Sequence, residues 1–231
     1  MIKPKRSSVF LGRPFSAAGW TGGTGGEPGS IRFFIARRGG GTEELLNMHT
    51  GEEAELSGPL GNTWKEFLPG PAGQAGKNAG GSADSGGEKK IALIGGGIGV
   101  APLLALGTEL PPDSFDFYGG FRSASFCLED VAARSVIIAS EDGSEGEKGR
   151  IPDFLDPAKY AAVCACGPEA MLKAVAARSA AGGVPCFVSM ERRMACGVGA
   201  CLGCTVKTKN GNRRCCADGP VFPAGEIVFD D

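Results

Sequence analysis

Five of the nine cysteines lie between Cys196 and Cys216, in "MACGVGACLGCTVKTKNGNRRCCADGPVF". No other feature restricts the fold as strongly. Cys196, Cys201 and Cys204 are spaced C-x4-C-x2-C, and ten or eleven residues separate Cys204 from the Cys215-Cys216 pair. Thiols at that spacing meet only if the chain wraps back on itself. The residues between them are small enough to allow it: Gly197, Gly199, Ala200 and Gly203.

Three close ligands and one distant one form the plant-type arrangement for a [2Fe–2S] cluster. The glycine-rich loop can wrap closely, so its N–H groups can face the sulfurs and offset their negative charge. Structural zinc also takes four cysteines, usually as two C-x2-C pairs. A disulfide framework is the third reading, disfavoured in a reducing compartment. Spacing alone does not choose between Cys215 and Cys216. Neighbours in an extended segment face opposite ways, so only one of them should face the cluster. Cys127, Cys164 and Cys186 sit in apolar runs and read as core residues.

Composition sets outer bounds. A chain of 231 residues holds two or three small domains. The 42% hydrophobic content supports real cores, and 39 glycines place much of the chain in loops. Net charge is −2, which gives no electrostatic basis for nucleic-acid binding. No apolar run is long enough for a membrane span. The start, "MIKPKRSSVFLGRP", lacks the apolar core and cleavage site of a signal peptide. The expectation is a cytoplasmic protein.

The expected fold class is α/β plus β. Residues 1–68 read as β-rich. Within them 17–30 reads as a hairpin tip, and a strand, a Gly turn and a short helix run from Ser30 to Met48. Residues 69–89 are Gly-rich and polar, a flexible linker or disordered loop. From 90 to 188 strands and helices alternate, which implies a parallel sheet with helices on its faces. Residues 189–231 carry the cysteine loop, with "GEIVF" closing the chain as a strand.

Two turns in the middle region carry chemistry. "IALIGGGIGVAPLL" is a strand, a Gly turn and a helix start, with Gly95, Gly96, Gly97 and Gly99 placed to let a pyrophosphate approach a helix N-terminus. Alone it reads equally well as a tight turn. "CACGPEAMLKAV" puts Cys166, Gly167 and Pro168 at a second strand end that opens a helix, and ligands of α/β sheets bind at such ends. No acidic residue takes the ribose position. A nucleotide site beside a one-electron cluster implies a flavin, because nicotinamide moves electron pairs. "RPFS" (Arg13, Pro14, Phe15, Ser16) and the Gly41-Thr42 pair are the candidate flavin contacts, although "RPFS" alone reads as a surface turn. The single His49 reads as solvated.

With these pieces assembled, the chain resembles the electron-transfer subunits of NAD-dependent (type B) dihydroorotate dehydrogenases, within the ferredoxin–NADP reductase-like superfamily. "GGGIGVAPLL", "EDGSEGEKG", "CGPEAMLKAV", "SMERRMACGVGACLGC" and "CADGPVF" carry the resemblance, in that order. It implies an FAD-binding β-barrel over 1–68, shortened at its N-terminal end because only twelve residues precede "RPFS". FAD would be held by Arg13 to Ser16, by Phe34, Ile35 and Ala36, and by Gly41-Thr42. NAD would lie over 90–188, at the two Gly turns with Ala101 and Pro102. The cluster would take Cys196, Cys201, Cys204 and, from the family's C-x-D-G-P pattern, Cys216. The resemblance also implies an FMN-containing catalytic partner, in a heterotetramer of two copies of each subunit. No residue of this chain reads as a base for dihydroorotate oxidation.

Overall fold

The computed structural model describes residues 1–22, 28–68, 90–128 and 131–229. The expected linker, 69–89, lies outside the described residues, as does the tip of the 17–30 hairpin.

The centre is a seven-stranded sheet. Its strands are β5 (Lys90–Gly96), β6 (Phe115–Phe121), β7 (Ser135–Ser140), β8 (Glu147–Lys148), β9 (Tyr160–Cys166), β10 (Cys186–Ser189) and β13 (Val221–Pro223), in the order β13-β10-β9-β5-β6-β7-β8. Every neighbouring pair is parallel except β10 with β13. The chain leaves β5 toward β6 on one side and later returns to β9 on the other. That reversal makes the carboxyl ends of β5 and β9 a topological switch point, where such sheets bind ligands.

Both faces of the sheet are covered, so its central strands read as continuous apolar runs. Successive side chains enter different cores. Ile91 and Leu93 of β5 join one core with Val100, Leu103 and Leu106 of α2 (Val100–Gly107). Ala92 and Ile94 join the other with Leu172 and Val175 of α3 (Glu169–Ala181). Pro168 precedes α3 and Gly182 ends it, as the sequence predicts.

The second core does not stop at the expected boundary near 188. It contains Cys204, Val206, Cys215, Cys216, Phe222 and Ile227 together with the sheet residues. β13 itself belongs to the cysteine-rich region, so that region is welded to the nucleotide-type sheet by strand pairing and by shared packing. Its own hairpin pairs β11 (Thr205–Thr208) with β12 (Gly211–Arg214). The expected last strand at "GEIVF" is instead a 3-10 turn (Ala224–Glu226) with a single bridge between Ile227 and Thr208.

The first 68 residues are β-containing, but a closed barrel is not among the described sheets. β1 (Ile2–Pro4) pairs with β4 (Ala54–Leu56), and β2 (Ala17–Thr21) with β3 (Ser30–Phe33), as two separate ribbons. The short helix α1 (Gly40–Leu46) lies between them in sequence. Trp64 and Leu68 anchor this segment by entering the core beneath α2.

Phe117 on β6 is fully buried, whereas Val136 on β7 is 40% exposed. Phe117→Ala should therefore cost about 3–5 kcal/mol, and Val136→Ala no more than about 1 kcal/mol. Urea midpoints at unchanged m-value check both.

Candidate functional site

The cysteine loop presents its N–H groups to sulfur. Val198 and Cys201 donate to Cys196 Sγ at 3.5 and 3.4 Å, and Gly203 donates to Cys201 Sγ at 3.5 Å. Cys216 donates to Cys204 Sγ at 3.4 Å, and Gly199 to Cys216 Sγ at 3.1 Å. Each of the four predicted ligands thus receives at least one backbone donor. Cys215 does the opposite: its Sγ donates to the Met190 carbonyl at 2.9 Å, inside the core.

The electrostatics follow. Backbone donors, from Cys201 first and then Val198, lower the Cys196 thiol to about 6. Burial raises Cys215 to about 12. Burial also raises Cys216, to about 11, although the Gly199 N–H works against the shift. Among the described residues no group of three or more His, Cys, Asp or Glu is set to hold a metal ion. The fit of a cluster is therefore judged on the donors around each sulfur. An array of N–H groups aimed at four sulfurs suits bound thiolates, whose charge it offsets. A buried S–H that donates to a carbonyl needs no such charge.

The turn that carries Cys216 is closed by a charge pair. The Asp218 carboxylate accepts from Arg214 N at 2.7 Å, Nε at 2.9 Å and Nη2 at 2.9 Å. These bonds lower Asp218 to about 2. Sequence reading missed this pair, although opposite charges four residues apart around two cysteines were a visible signal. The loop's outer side is open: Cys201 is exposed, with Val198 and Leu202 exposed at 70% and 63%.

The two Gly turns meet at the switch point. Gly95 on β5 lies in register with Cys166 on β9. A side chain on Gly99 would overlap the Cys166 carbonyl and lie 2.7 Å from Gly167 Cα. Gly99 is therefore required by the contact between the turns themselves. Gly97 differs, with φ +52° and open space where a Cβ would stand, so its backbone is free to meet a ligand. Ala101 lies buried in α2 beside Pro102. Cys166 is buried, its thiol raised to about 12 by burial, and Pro168 packs near Gly96.

The flavin candidates are brought together in part. Arg13 is fixed by reciprocal backbone hydrogen bonds with Ile2 at 2.8 and 2.7 Å, and its guanidinium lies over Gly41. The Thr42 hydroxyl is spent on its own turn, accepting from Arg38 N at 2.8 Å and donating to Gly39 O at 2.8 Å. Phe15 packs near Phe33, beyond which Phe34, Ile35 and Ala36 are half-buried; Pro14 and Ser16 are exposed. A cavity of 320 Å³ opens between β2, β3 and α2, bounded by Arg32, Phe34, Leu104, Phe117 and Val131. Of the predicted contacts it touches Phe34 only. His49 is exposed, as expected from its surroundings.

Comparison with known proteins places this arrangement. A family model described as the iron-sulfur cluster binding domain of dihydroorotate dehydrogenase B matches residues 191–228. Among solved structures, an NADH-dependent reduced ferredoxin-NADP oxidoreductase studied for flavin-based electron bifurcation superposes with a TM-score of 0.74 at 23% identity, over 99% of this chain and 78% of that one. The ferredoxin reductase of carbazole 1,9a-dioxygenase superposes at 0.59 and 20% identity, over 80% of this chain and 55% of that one. Fold and cysteine loop thus define a class, a ferredoxin-reductase-like chain with an iron–sulfur domain at its end. Curated relatives narrow the class. The chain is 38% identical to the dihydroorotate dehydrogenase B (NAD(+)) electron transfer subunit of Clostridium perfringens, over 97% of its own length and 84% of the relative's. The subunits of the same name from Clostridium acetobutylicum and Listeria monocytogenes are 39% and 34% identical, over 87% and 98% of this chain and 75% and 85% of theirs. The chain belongs to the family of dihydroorotate dehydrogenase B electron transfer subunits.

The thiol environments give a test in metal-free protein. Cys196 is mainly thiolate above about pH 6 and protonated below it. At pH 7 its alkylation by iodoacetamide should far outpace that of Cys215 and Cys166, and should fall as pH drops through 6. Peptide mapping of the labelled protein checks the order.

Proposed function

We propose that this chain is the electron-transfer half of an NAD-dependent dihydroorotate dehydrogenase, an oxidoreductase of pyrimidine biosynthesis. A partner subunit containing FMN would oxidise dihydroorotate, and this chain would deliver the electrons to NAD+, in an assembly of two copies of each subunit. Bound here, a [2Fe–2S] cluster would supply one-electron transfer, FAD the exchange between single electrons and pairs, and NAD+ would be the hydride acceptor.

The residues divide the labour. Cys196, Cys201, Cys204 and Cys216 would hold the cluster, with the N–H groups of 198, 199, 201, 203 and 216 offsetting its charge. The exposed edge at Cys201, Val198 and Leu202 would be the side from which electrons enter, since Cys204 and Cys216 are 1% and 3% exposed. Arg13 beside Gly41 would set the flavin's place. Gly97 and the Cys166–Pro168 turn would seat the dinucleotide where β5 and β9 diverge. With FAD and the cluster held in one chain, two single electrons and a proton from solvent would be combined into the hydride that NAD+ accepts.

One observation carries the reading most: all four predicted ligand sulfurs accept backbone N–H groups, whereas Cys215 donates into the core. The test is anaerobic purification with and without the FMN subunit. The co-purified complex should form NADH from dihydroorotate and NAD+, and this chain alone should not. Full activity from a monomer that lacks the partner would instead establish a stand-alone reductase.

A further inference from the structure

Asn62 makes four hydrogen bonds to a segment more than 150 residues away. Its Nδ2 donates to the carbonyls of Asp218 at 3.2 Å and Val221 at 2.8 Å. Its Oδ1 accepts from Val221 N at 2.9 Å, and its own backbone N–H donates to Gly219 O at 2.6 Å. The side-chain amide therefore spans Asp218 to Val221, directly after Cys216. Of the neutral side chains, only an amide of this length offers two donors and an acceptor in one plane.

The strap that carries Asn62 touches both halves of the cysteine site. Leu60 lies over Gly197, next to Cys196: a side chain on that glycine would come within 3.1 Å of Leu60 Cδ1. Gly61, at φ +73°, passes so close to Gly219 that any side chain there would overlap the Gly219 carbonyl. Beyond Asn62 the strap is pinned by Trp64, buried in the core beneath α2. Before it, Ser57 N donates to Met1 O at 2.9 Å, and the β1–β4 ribbon continues to Ile2, the residue paired with Arg13. Hydrogen bonds at both ends of the 57–62 strap thus connect the Arg13 segment, through Met1 and Ile2, to the turn that bears Cys216.

We propose that Asn62 is a positioning residue for the one-electron port, holding the Cys216 turn in place and fixing it relative to the Arg13 segment. It acts through the 218–221 backbone and touches no sulfur. The inference rests on the electron-relay reading above. Asn62→Asp keeps the shape, removes both donors and points a carboxylate at two carbonyls, which leaves buried acceptors unmatched.

The experiment uses full-length protein purified anaerobically. N62D and N62S are compared with wild type and with the neighbouring control T63A. Two readouts are taken: the half-time of visible bleaching by an iron chelator, and the EPR g-values of the dithionite-reduced protein. Melting temperature is recorded beside them. Outer partners of metal ligands typically change affinity by about 10–100-fold. Bleaching about tenfold faster or more in N62D, with shifted g-values and T63A like wild type, is the expected result. If N62D does not fold, N62S is read in the same way. Wild-type bleaching and an unshifted spectrum would overturn the inference, and so would bleaching that only tracks a fall in melting temperature. Wild-type protein without iron and sulfide would sink the relay reading itself, a separate outcome.

Discussion

The opposed facing of Cys215 and Cys216 constrains the rest of the site. The two cysteines stand side by side in the turn after β12, not in an extended strand as expected, yet their thiols meet different partners. Here one thiol enters the core and binds the Met190 carbonyl, while the next meets the Gly199 N–H. Fixing Cys215 inside fixes Cys216 toward the loop. The Asp218–Arg214 pair then closes the turn behind it. Met190 follows β10 and accepts the Cys215 thiol, and its own N–H donates to Pro220 O at 2.9 Å. The cysteine site is therefore referenced to the central sheet by hydrogen bonds as well as by packing.

That shared construction blurs the division into domains. β13 is cut from the cysteine-rich segment yet forms the edge of the seven-stranded sheet, and one core runs from Ala92 to Ile227. Electron transfer between neighbouring carriers depends on fixed separation. A sheet that carries the two Gly turns at one set of strand ends, and is bonded to the cysteine loop at its edge, supplies a rigid frame for it. The Asn62 strap adds the third connection, from the N-terminal ribbons.

Much of this was legible in the sequence, and the reasons are physical. The strands β5, β6, β7 and β9 are apolar runs of strand length, and α3 has Pro168 before it and Gly182 after it. The ligand loop announced itself by spacing and small residues. Other parts were not read. The β11–β12 hairpin turns at Lys209-Asn210, with Gly211 at φ +97° opening β12, and the cysteines on either side overshadowed its Asn-Gly signal. β13 is three residues long and pairs across the sheet edge, so no local pattern marks it. The terminal "GEIVF" has strand-like residues, but its first residues turn in a 3-10 helix and Ile227 makes only one bridge. Asn62 and Thr42 show the limit most clearly. One side chain bonds a segment 156 residues away, and the other spends its hydroxyl locally where a flavin contact was expected.

The most direct test of the account is the iron and acid-labile sulfide content of two single variants, Cys215→Ser and Cys216→Ser, with the EPR spectrum of each after reduction. C215S should keep iron, sulfide and the reduced-cluster signal of wild type, at some cost in stability from the polar hydroxyl in the core. C216S should lose the wild-type signal and most of its iron. The reverse pattern would contradict the assignment of the fourth ligand, and colourless wild-type protein holding zinc would contradict the one-electron port.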